Sequence, residues 1–420
     1  MNVWLIHPGE LLPIDGSVRL NRYGILAEML ASRGHRVTIW APTFVHTTKQ
    51  YRSQREELIE VQRNYHVRLM HAPGYRRHIG WARWQFHRRL AARFTVLARQ
   101  EVCPDVIVSG IPAPELCDAA TSYGRARGIP VVIDVRDVWP DAALDHAPAW
   151  AQPILRPMLA PMVALNRRVF RAATGIVGVS EGFRDWGLAH ARRGVGPADG
   201  VFHLGYPEAT HTDRDKEAAR DQWAAKGVVP DGTFRCYFMA SIGSLYDLET
   251  VIEAGRELAR RPTNRIQFVL CGDGPRLERL RSIARDVPNV LLPGWAKSVD
   301  VQVLMELSHI GTIPYRKAMH TALPNKAVAY FSAGLPVVTN SGGEFASILH
   351  RRRCGVTYEP ENVADFLRAF NCLRLQPDLR AELSANARHF YEQELDAECV
   401  YSRMIDHLSR LAACRVAAAA

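Results

Sequence analysis

Residues 322–341 combine a lysine with the pattern of a helix start. Pro324 and Asn325 are typical of the first residues of a helix, because Pro lacks an amide that would stay unpaired there and Asn can cap. Gly334 fits the left-handed residue that ends a helix, and the apolar run after it predicts a buried strand. Unpaired amides at the start of this helix, with Lys326 beside them, suit a phosphate. In an ordinary helix–strand pair the lysine would be solvated, so both interpretations are open.

The length and composition indicate a globular protein of two domains. The chain has 420 residues, of which 47% are hydrophobic and 23% charged, and this length exceeds that of one hydrophobic core. No apolar run approaches the roughly 20 residues of a membrane-spanning helix, and residues 1–6 begin as a strand rather than a signal peptide, so we expect a cytoplasmic protein. The eight cysteines lack metal-binding spacing and indicate buried thiols.

The formal net charge of +10 is concentrated in part of the chain. Residues 75–100 carry seven arginines and no acid, while Phe86, Leu90, Phe94 and Leu97 share one helical face. A basic amphipathic helix of this kind is typical of an anionic membrane surface. A helix that packs the same apolar stripe on its own domain is an equally good interpretation. Nucleic acid is not expected as a partner, since no recognition motif with interleaved aromatic residues occurs.

Short apolar strands alternate with helical stretches along both halves of the chain, which predicts an α/β fold with parallel sheets. We expect two Rossmann-like domains that face a central cleft, with the ligand at the carboxyl ends of the strands. The N-terminal, acceptor-binding domain is predicted at residues 1–207 and the C-terminal, donor-binding domain at 208–395. A charged linker is predicted from Gly205 through Lys216. A C-terminal helix at 396–416 is expected to pack back on the N-terminal domain.

Eight motifs occur in an order and spacing that resemble one enzyme family, the retaining GT-B glycosyltransferases of family 4. They are PIDGSVRLNRYG, SRGHRVTIWA, DVRDVWPDAALD, GIVGVSEGF, FMASIGSLYDLETVIEA, VLCGDGP, NVLLPGW and TALPNKAVAYFSAGLPVV. The resemblance covers nearly the whole chain. DVRDVWPD and LPNK…AGLPVV are most similar to members that build bacterial surface polysaccharides. No GxGxxG follows the first strand, which argues against a nicotinamide dehydrogenase.

The resemblance implies that an NDP-sugar donor lies against the C-terminal domain, where glycines let the backbone approach the ligand. The positions that match the family's diphosphate-binding loops are Gly16, Ser17, Ser241, Gly243, Ser244, Asn325 and Lys326. The positions that match nucleoside or sugar contacts are Gly272, Asp273, Gly274, Thr321, Gly342, Gly343 and Glu344. Plain turn chemistry explains the glycines of the second set about equally well.

The resemblance also implies a catalytic loop in the N-terminal domain. Asp134, Arg136 and Asp137 match the loop that faces the reacting sugar and the acceptor, where an aspartate can take the acceptor hydroxyl proton or bind a sugar hydroxyl. For Asp137 the alternative is a cap of the turn before Trp139. The family suggests front-face attack, with no enzyme nucleophile, and the leaving phosphate helping to deprotonate the acceptor. No cofactor or metal is implied, because cations and helix amides can stabilise the leaving diphosphate.

The expected function is that of a hexosyltransferase-type enzyme in surface polysaccharide synthesis. Its acceptor is hypothesised to be a saccharide linked to polyprenyl diphosphate, at the inner face of the cytoplasmic membrane. This hypothesis rests on the basic helix at 75–100 and on the apolar stretch at 150–163, each of which could instead belong to a core. A GT-B sugar-nucleotide epimerase and a sugar-nucleotide-binding protein with weak or no activity are the alternatives.

Several positions depart from the family's pattern. Ser241 and Tyr246 stand where many members carry an arginine and a lysine that bind the diphosphate. Thr321 and Ala329 replace two glutamates, of which the second holds the ribose hydroxyls, and Arg136 replaces a histidine that is frequent in the acceptor loop.

Three interpretations of these departures are open: altered nucleotide recognition, another acid such as Glu344 in the place of the missing glutamate, or a weak or inactive enzyme. In each of them Lys326 and backbone amides, with Arg19 or Arg22, would have to supply the positive field.

Overall fold

The computed structural model describes residues 1–16, 20–76, 80–145, 147–208, 210–260, 265–316 and 322–419. Of the predicted site residues, Ser17 and Thr321 lie outside these ranges, as does Arg19. The chain forms two compact units, of which the first is Met1–Gly205 with Val400–Ala420 and the second is Tyr206–Cys399.

The first unit is built on a sheet that is flanked by helices. Its strands are β1 (Asn2–Ile6), β2 (Arg36–Pro42), β3 (Phe44–Val45), β4 (Gln50–Tyr51), β5 (Leu58–Gln62), β6 (Tyr65–Met70), β7 (Val106–Ile111), β8 (Val131–Val135), β9 (Gly175–Gly178) and β10 (Gly200–Val201). Its helices before the boundary are α1 (Arg22–Ser32), α2 (Trp81–Leu97), α3 (Pro114–Arg127), α4 (Asp141–Asp145), α5 (Gln152–Ala172) and α6 (Glu181–Ala191).

In the described residues the main sheet of the first unit has the strand order β10-β9-β8-β7-β1-β2-β6-β5. Its neighbours are parallel except for β5, which runs antiparallel to β6 at the edge. In the centre of the sheet Leu5 lies between Ile39 and Val108, and all three side chains are fully buried. The carboxyl ends of β1, β7 and β8 therefore meet at one edge of the sheet, and the loops after them can form a site.

The second unit repeats the alternation of strand and helix. Its elements are α7 (Asp213–Ala224), β11 (Phe234–Met239), α8 (Leu248–Ala259), β12 (Ile266–Cys271), α9 (Leu277–Ile283), β13 (Val290–Gly294), α10 (Ser298–Glu306), β14 (Ile310–Ile313), α11 (Asn325–Ser332), β15 (Val337–Thr339), α12 (Gly343–Arg352), β16 (Gly355–Thr357), α13 (Val363–Leu375) and α14 (Pro377–Phe390). The described strands form a parallel sheet in the order β13-β12-β11-β14-β15-β16. The last helix, α15 (Ala397–Ala419), enters the first unit at Val400.

The prediction of an α/β fold with two Rossmann-like units is confirmed. The predicted linker was too long, because α7 begins at Asp213 and Thr212 caps it by accepting a hydrogen bond from the Asp215 amide at 3.2 Å. The basic helix begins at Trp81, and its apolar stripe is buried within its own unit, with Phe86 and Phe94 at 2% and 0% exposure. Within the described ranges, no helix is long and apolar enough to cross a membrane.

Candidate functional site

A buried ion pair fixes the edge of the first sheet. Arg22, at the start of α1, donates from Nε to Asp134 Oδ2 at 2.8 Å and from Nη2 to Oδ1 at 3.2 Å. The same guanidinium donates from Nη1 to the carbonyl oxygens of Phe202 and His203 at 2.9 and 2.8 Å. Asp134 has no exposed surface, and both of its oxygens are engaged. Its geometry is therefore that of a group that positions the loop after β8, rather than the catalytic group that the sequence suggested.

A second ion pair, between Arg136 and Glu10, lies at the same edge. Arg136 Nη1 bonds Glu10 Oε1, and the guanidinium lies over the Tyr23 ring at 5.3 Å from its centroid. Burial opposes the charge on Arg136, but the Glu10 and Asp134 carboxylates outweigh it and raise its pKa above the ordinary value. Arg136 is thus a charged group held in place at the start of the loop after β8.

His7 faces this ion pair in its neutral form. Burial, together with the charges of Arg136 and His87, holds the pKa of His7 well below its usual range. Its Nδ1 accepts a hydrogen bond from the Gly9 amide at 3.1 Å, so the proton lies on Nε2. Among the described residues, the buried atoms His7 Nε2, Glu10 Oε2 and Tyr23 Oη have no hydrogen-bond partner. Unpaired buried polar groups of this kind are rare away from binding sites.

Asp137 is the carboxylate of the DVRD loop that reaches solvent, since it is half-buried where Asp134 is fully buried. Burial raises the pKa of Asp137 above its ordinary value, although hydrogen bonds from the Val138 and Trp139 amides and the charge of Arg83 oppose the shift. A carboxylate with a raised pKa is better matched to proton transfer at neutral pH. Of the three predicted catalytic residues, Asp137 therefore has the best geometry for contact with an acceptor.

In the second unit, Lys326 lies in the first turn of α11, and its amine is neither solvated nor paired. Its Nζ is buried and has no hydrogen-bond partner within the described chain. The nitrogen lies 3.6 Å from the centroid of the Tyr246 ring and 5.0 Å from that of Phe238. Burial lowers the pKa of Lys326 to about 7. The interpretation of a solvated lysine is wrong. The amine is instead buried without a partner and could pair with an anion that reaches it.

The loop after β11 carries Ser241 and Ser244, the two serines predicted to bind the diphosphate. Ser241 and Ser244 are exposed, and Tyr246 forms a backbone bridge with Tyr315 of the loop after β14. Glu249 forms ion pairs with both Arg276 and Arg316, which ties together the loops after β11, β12 and β14. These arginines are engaged with a carboxylate, whereas the Lys326 amine is not.

The glycines of this edge fall into two classes. A Cβ at Gly272 would lie 1.8 Å from the Ala240 carbonyl oxygen, and one at Gly274 would lie 2.6 Å from that of Ile242, so these two glycines allow loops to pack closely. Gly272 and Gly274 also have φ of +148° and +152°. No atom lies within 4 Å of a Cβ at Gly243, so the packing of the described residues does not require glycine there.

The other predicted positions lie at the same carboxyl edge. Asn325 is exposed in the first turn of α11, whose cap residue is Pro324 rather than Asn325. Gly342 precedes α12, and Gly343, with φ of +64°, begins it, so Glu344 lies in the first turn of that helix. Asp273 Oδ1 accepts a hydrogen bond from the Gly274 amide at 2.7 Å, which is a turn contact.

Gly16 of the first unit and Ala329 of the second are two further positions at which the family's pattern places binding residues. Gly16, with φ of +89°, ends the short 3₁₀ turn Pro13–Asp15, and no side chain approaches it within 4 Å among the described residues. Ala329, on α11, is 2% exposed and faces the core. Residue 329 therefore does not make the contact with the ribose hydroxyls that the family's second glutamate makes.

Sequence reasoning missed an exposed tryptophan beside the GDGP loop. Trp295 follows β13 directly and is 75% exposed. The Gly272 amide donates to the Gly294 carbonyl at 2.9 Å, so Trp295 lies next to the loop predicted to contact the nucleoside. The signal was present in NVLLPGW, since an aromatic residue directly after a parallel strand falls at the ligand edge of the sheet.

Solved structures share the fold over almost the full chain. Sucrose-phosphate synthase from Thermosynechococcus elongatus is similar with a TM-score of 0.70 and 14% identity, covering 98% of this chain and 99% of its own. HepE from Anabaena in complex with UDP gives 0.65 and 14%, covering 97% and 99%. WaaG, a glycosyltransferase involved in lipopolysaccharide biosynthesis, gives 0.64 and 15%, again covering 97% and 99%. A comparison with curated protein sequences found no match.

Two family models match the sequence, one in each half. The family described as "Glycosyl transferase 4-like domain" matches residues 22–201, and that described as "Glycosyl transferases group 1" matches residues 234–374. The protein is a GT-B glycosyltransferase. Within this glycosyltransferase, the first match contains the Asp137 loop and the second contains Lys326 and Tyr246.

His7, Glu10 and Tyr23 are further residues of the glycosyltransferase that the sequence did not single out. His7 and Glu10 follow β1, and Tyr23 lies on α1, so the three come from a loop and a helix that no single motif joins. A Cβ at Gly110 would lie 2.6 Å from His7 Cδ2, which shows how closely β7 approaches this group. The position of His7 after the first strand was the one available signal.

We predict that Asp134→Asn destabilises the glycosyltransferase by about 3–5 kcal/mol, because Arg22 would keep a buried charge without its partner. Urea unfolding of the free protein measures this change. Asp118→Asn is the matched control, since Asp118 pairs with Arg168 at the surface and should lose less than about 1 kcal/mol. Equal losses in the two variants would contradict the role given to the buried pair.

We also predict that Gly272→Ala and Gly243→Ala separate stability from binding. Gly272→Ala should lower the free energy of unfolding by about 2 kcal/mol or more, because its Cβ meets a carbonyl oxygen and its φ disfavours side chains. Gly243→Ala should change stability by less than about 1 kcal/mol and yet weaken nucleotide binding. Calorimetric unfolding and titration with UDP check both outcomes. A stable Gly272→Ala variant would contradict the packing explanation.

Proposed function

We propose that this glycosyltransferase moves a hexose from an NDP-sugar to a lipid-linked saccharide with retention of configuration and without a metal ion. The observation that carries the donor part is the buried, unpartnered amine of Lys326 in the first turn of α11. A diphosphate at this point would meet both the amine and the unpaired amides of the helix start. The likeness to HepE, which was solved with UDP, supports a nucleotide as the donor's leaving group.

The transfer requires stabilisation of the charge on the leaving diphosphate. In the proposed reaction the bond between sugar C1 and the phosphate oxygen breaks, and a bond between C1 and the acceptor oxygen forms on the same face. The acceptor proton passes to the leaving phosphate or to Asp137. The ammonium form of Lys326 stabilises the departing charge, and the exposed Ser241 and Ser244 offer hydroxyls from the loop after β11. Gly243, whose amide donates to the Ser241 carbonyl at 3.0 Å, lets the ligand approach this turn closely.

The ribose hydroxyls need a partner other than residue 329, which is a buried alanine. We assign this contact to Glu344, whose position in the first turn of α12 belongs to the same carboxyl edge as α11. Trp295 is assigned to the base, since an exposed aromatic ring can stack on any nucleobase. For the departures from the family's pattern we therefore adopt the interpretation in which Glu344 serves in the place of the missing glutamate.

The acceptor part of the proposal rests on the first unit. Asp137 would contact the reacting hydroxyl, with Arg136 held beside it by Glu10. A lipid-linked acceptor in surface polysaccharide synthesis is supported by the likeness to WaaG. It is also supported by the excess of arginine over acid on the outer helices of this unit, which suits the anionic inner face of the cytoplasmic membrane.

Lys326→Met tests the donor site. The free variant should unfold at a higher temperature at pH 7, because an apolar side chain replaces an amine whose charged form is penalised by burial. It should also bind every UDP- and GDP-sugar about 10- to 100-fold more weakly, since a charge-assisted contact is worth roughly 1.5–3 kcal/mol. Thermal unfolding and calorimetric titration measure the two effects.

The pH dependence of donor binding tests whether the charged form of Lys326 binds the diphosphate. Lys326 is charged below its pKa of about 7 and neutral above it, so the affinity for an NDP-sugar should fall as the pH rises from 7 to 9. Lys326→Met should remove this dependence. Lys226→Ala is the matched control, because Lys226 also lies over an aromatic ring, Trp223, but is exposed. A sugar-selective loss, or a pH dependence that persists in the variant, would argue against the diphosphate role.

Asp137→Asn tests the acceptor site. The variant should lower kcat at least about 100-fold and leave the donor affinity nearly unchanged. Since burial raises the pKa of Asp137, the acidic limb of the kcat/KM profile should lie above the ordinary range of an aspartate and vanish in the variant. Asp185→Asn, at an exposed position of the same unit, is the control. Full activity of Asp137→Asn would reduce Asp137 to a turn cap.

A further inference from the structure

A groove of about 780 Å³ lies between α2 and α5 on the first unit, and neither the core nor the proposed donor site accounts for it. Its apolar lining consists mainly of Trp81, Trp84, Met158, Pro161, Met162 and Leu165. A depression of about 310 Å³ continues from the two tryptophans along the outer side of α2. These volumes are those of small-molecule sites rather than of packing defects.

The walls of the groove expose large apolar side chains to water. Trp81 and Met158 are 67% and 69% exposed. Outside the lining, Ile154 near the start of α5 and Trp150 just before it are also exposed. The rings of Trp81 and Trp84 lie 4.3 Å apart, so the two form one apolar surface. A contiguous apolar surface of this kind on a soluble protein marks an interaction site.

The same two helices carry an excess of arginine, although Arg93 pairs with Glu56 and Arg168 with Asp118. Four arginines lie on α2 and four on α5, and neither helix has an acid. The Arg88 guanidinium lies over the Trp84 ring at 4.6 Å from its centroid. The two acids in the lining come from α3, where Asp118 bonds Arg168, and Glu115 lies 3.7 Å from His87. An apolar channel with a cationic rim suits an amphiphile that has a hydrocarbon chain and an anionic head.

One end of the groove adjoins the loop that carries Asp137. Trp139 Nε1 donates to Met162 Sδ at 2.8 Å, and Asn166 Nδ2 donates to the Trp139 carbonyl at 2.9 Å. Arg83, one turn into α2, is close enough to act electrostatically on Asp137. A molecule in the groove would therefore place its head beside the predicted acceptor loop.

We propose that the α2–α5 groove binds the hydrocarbon chain of a prenyl diphosphate, which is the lipid part of the acceptor. This inference rests on the proposed function. The diphosphate lies between chain and saccharide in such an acceptor, and the arginines at the rim meet that charge. The branched chain lies along the rings and the methionine side chains, which adapt to irregular apolar shapes.

Binding of geranyl, farnesyl and geranylgeranyl diphosphate in the absence of any donor tests the proposal. Titration of the full-length protein should show an affinity that rises roughly tenfold with each added isoprene unit, since more of the chain leaves water. Inorganic diphosphate should bind no better than geranyl diphosphate. An affinity that does not depend on chain length would overturn the proposal.

Met158→Glu should abolish the dependence on chain length, because it places a charge in the apolar wall. Because Met158 is exposed, the variant should fold with an unchanged unfolding temperature, which thermal unfolding verifies. Leu375→Glu, at a residue of the second unit that is 63% exposed, is the matched control and should keep the dependence. Crosslinking by a benzophenone-tagged farnesyl diphosphate should map to residues 81–92 and 158–165. Crosslinks elsewhere would contradict the assignment.

Charge reversal distinguishes the contribution of the diphosphate head to the affinity from that of the hydrocarbon chain. Arg88→Glu with Arg89→Glu should weaken all three prenyl diphosphates by a similar factor, whereas Arg279→Glu with Arg285→Glu on the second unit should not. If Met158→Glu abolishes sedimentation with anionic vesicles but leaves the chain-length dependence intact, the surface contacts bulk membrane and the proposal is wrong. It is also wrong if Met158→Glu converts a dimer into monomers. Absence of sugar transfer from any NDP-sugar would instead count against the proposed function.

Discussion

A desolvated amine at the start of α11 is the constraint on which the proposed donor site depends. Lys326 is held over Tyr246 and near Phe238, where burial penalises its charged form. Glu249, on the helix that follows the Tyr246 loop, is engaged with Arg276 and Arg316, and residue 329, one turn after Lys326 on α11, is an alanine. A cation without a counter-ion gains most from an incoming anion, because no internal pair has to break first.

In the first unit, by contrast, the buried charges are paired with charges of opposite sign. Arg22 is neutralised by Asp134, and Arg136 by Glu10, so neither guanidinium is available to a distant anion. These pairs join α1, the loop after β1 and the loop after β8, which come from separate parts of the sequence. What they hold in place is the loop of Asp137, a half-buried carboxylate that accepts hydrogen bonds from the Val138 and Trp139 amides and lies within electrostatic reach of Arg83. Paired charges thus fix the loop, whereas the Asp137 carboxylate is less constrained, which suits the role proposed for it.

The sequence predicted the sheets well where strands are buried on both faces. The signals for α3 and β8 can be read from the sequence, since Pro114 and Gly128 mark the ends of the helix and four of the five residues of Val131–Val135 are apolar. The edge strand β5 alternates with polar residues and lacks that signal. Contacts such as Glu10–Arg136 join residues far apart in the chain, so local patterns cannot reveal them. The desolvation of Lys326 depends on Tyr246 in the same way.

The basic helix shows why a correct pattern can point to the wrong surface. Its periodic apolar residues, including Phe86 and Phe94, are buried because periodicity reports the face that packs on the unit. Trp81, which is exposed, and Trp84, which is partly buried, lie at the beginning of α2, off that periodic stripe. They form an apolar groove only together with residues of α5 such as Met158. A surface built from residues of two helices is not marked by a periodic apolar pattern in the sequence of either helix. The arginines around it could be counted from the sequence, but the groove that they border required the packing of α2 against α3 and of α3 against α5.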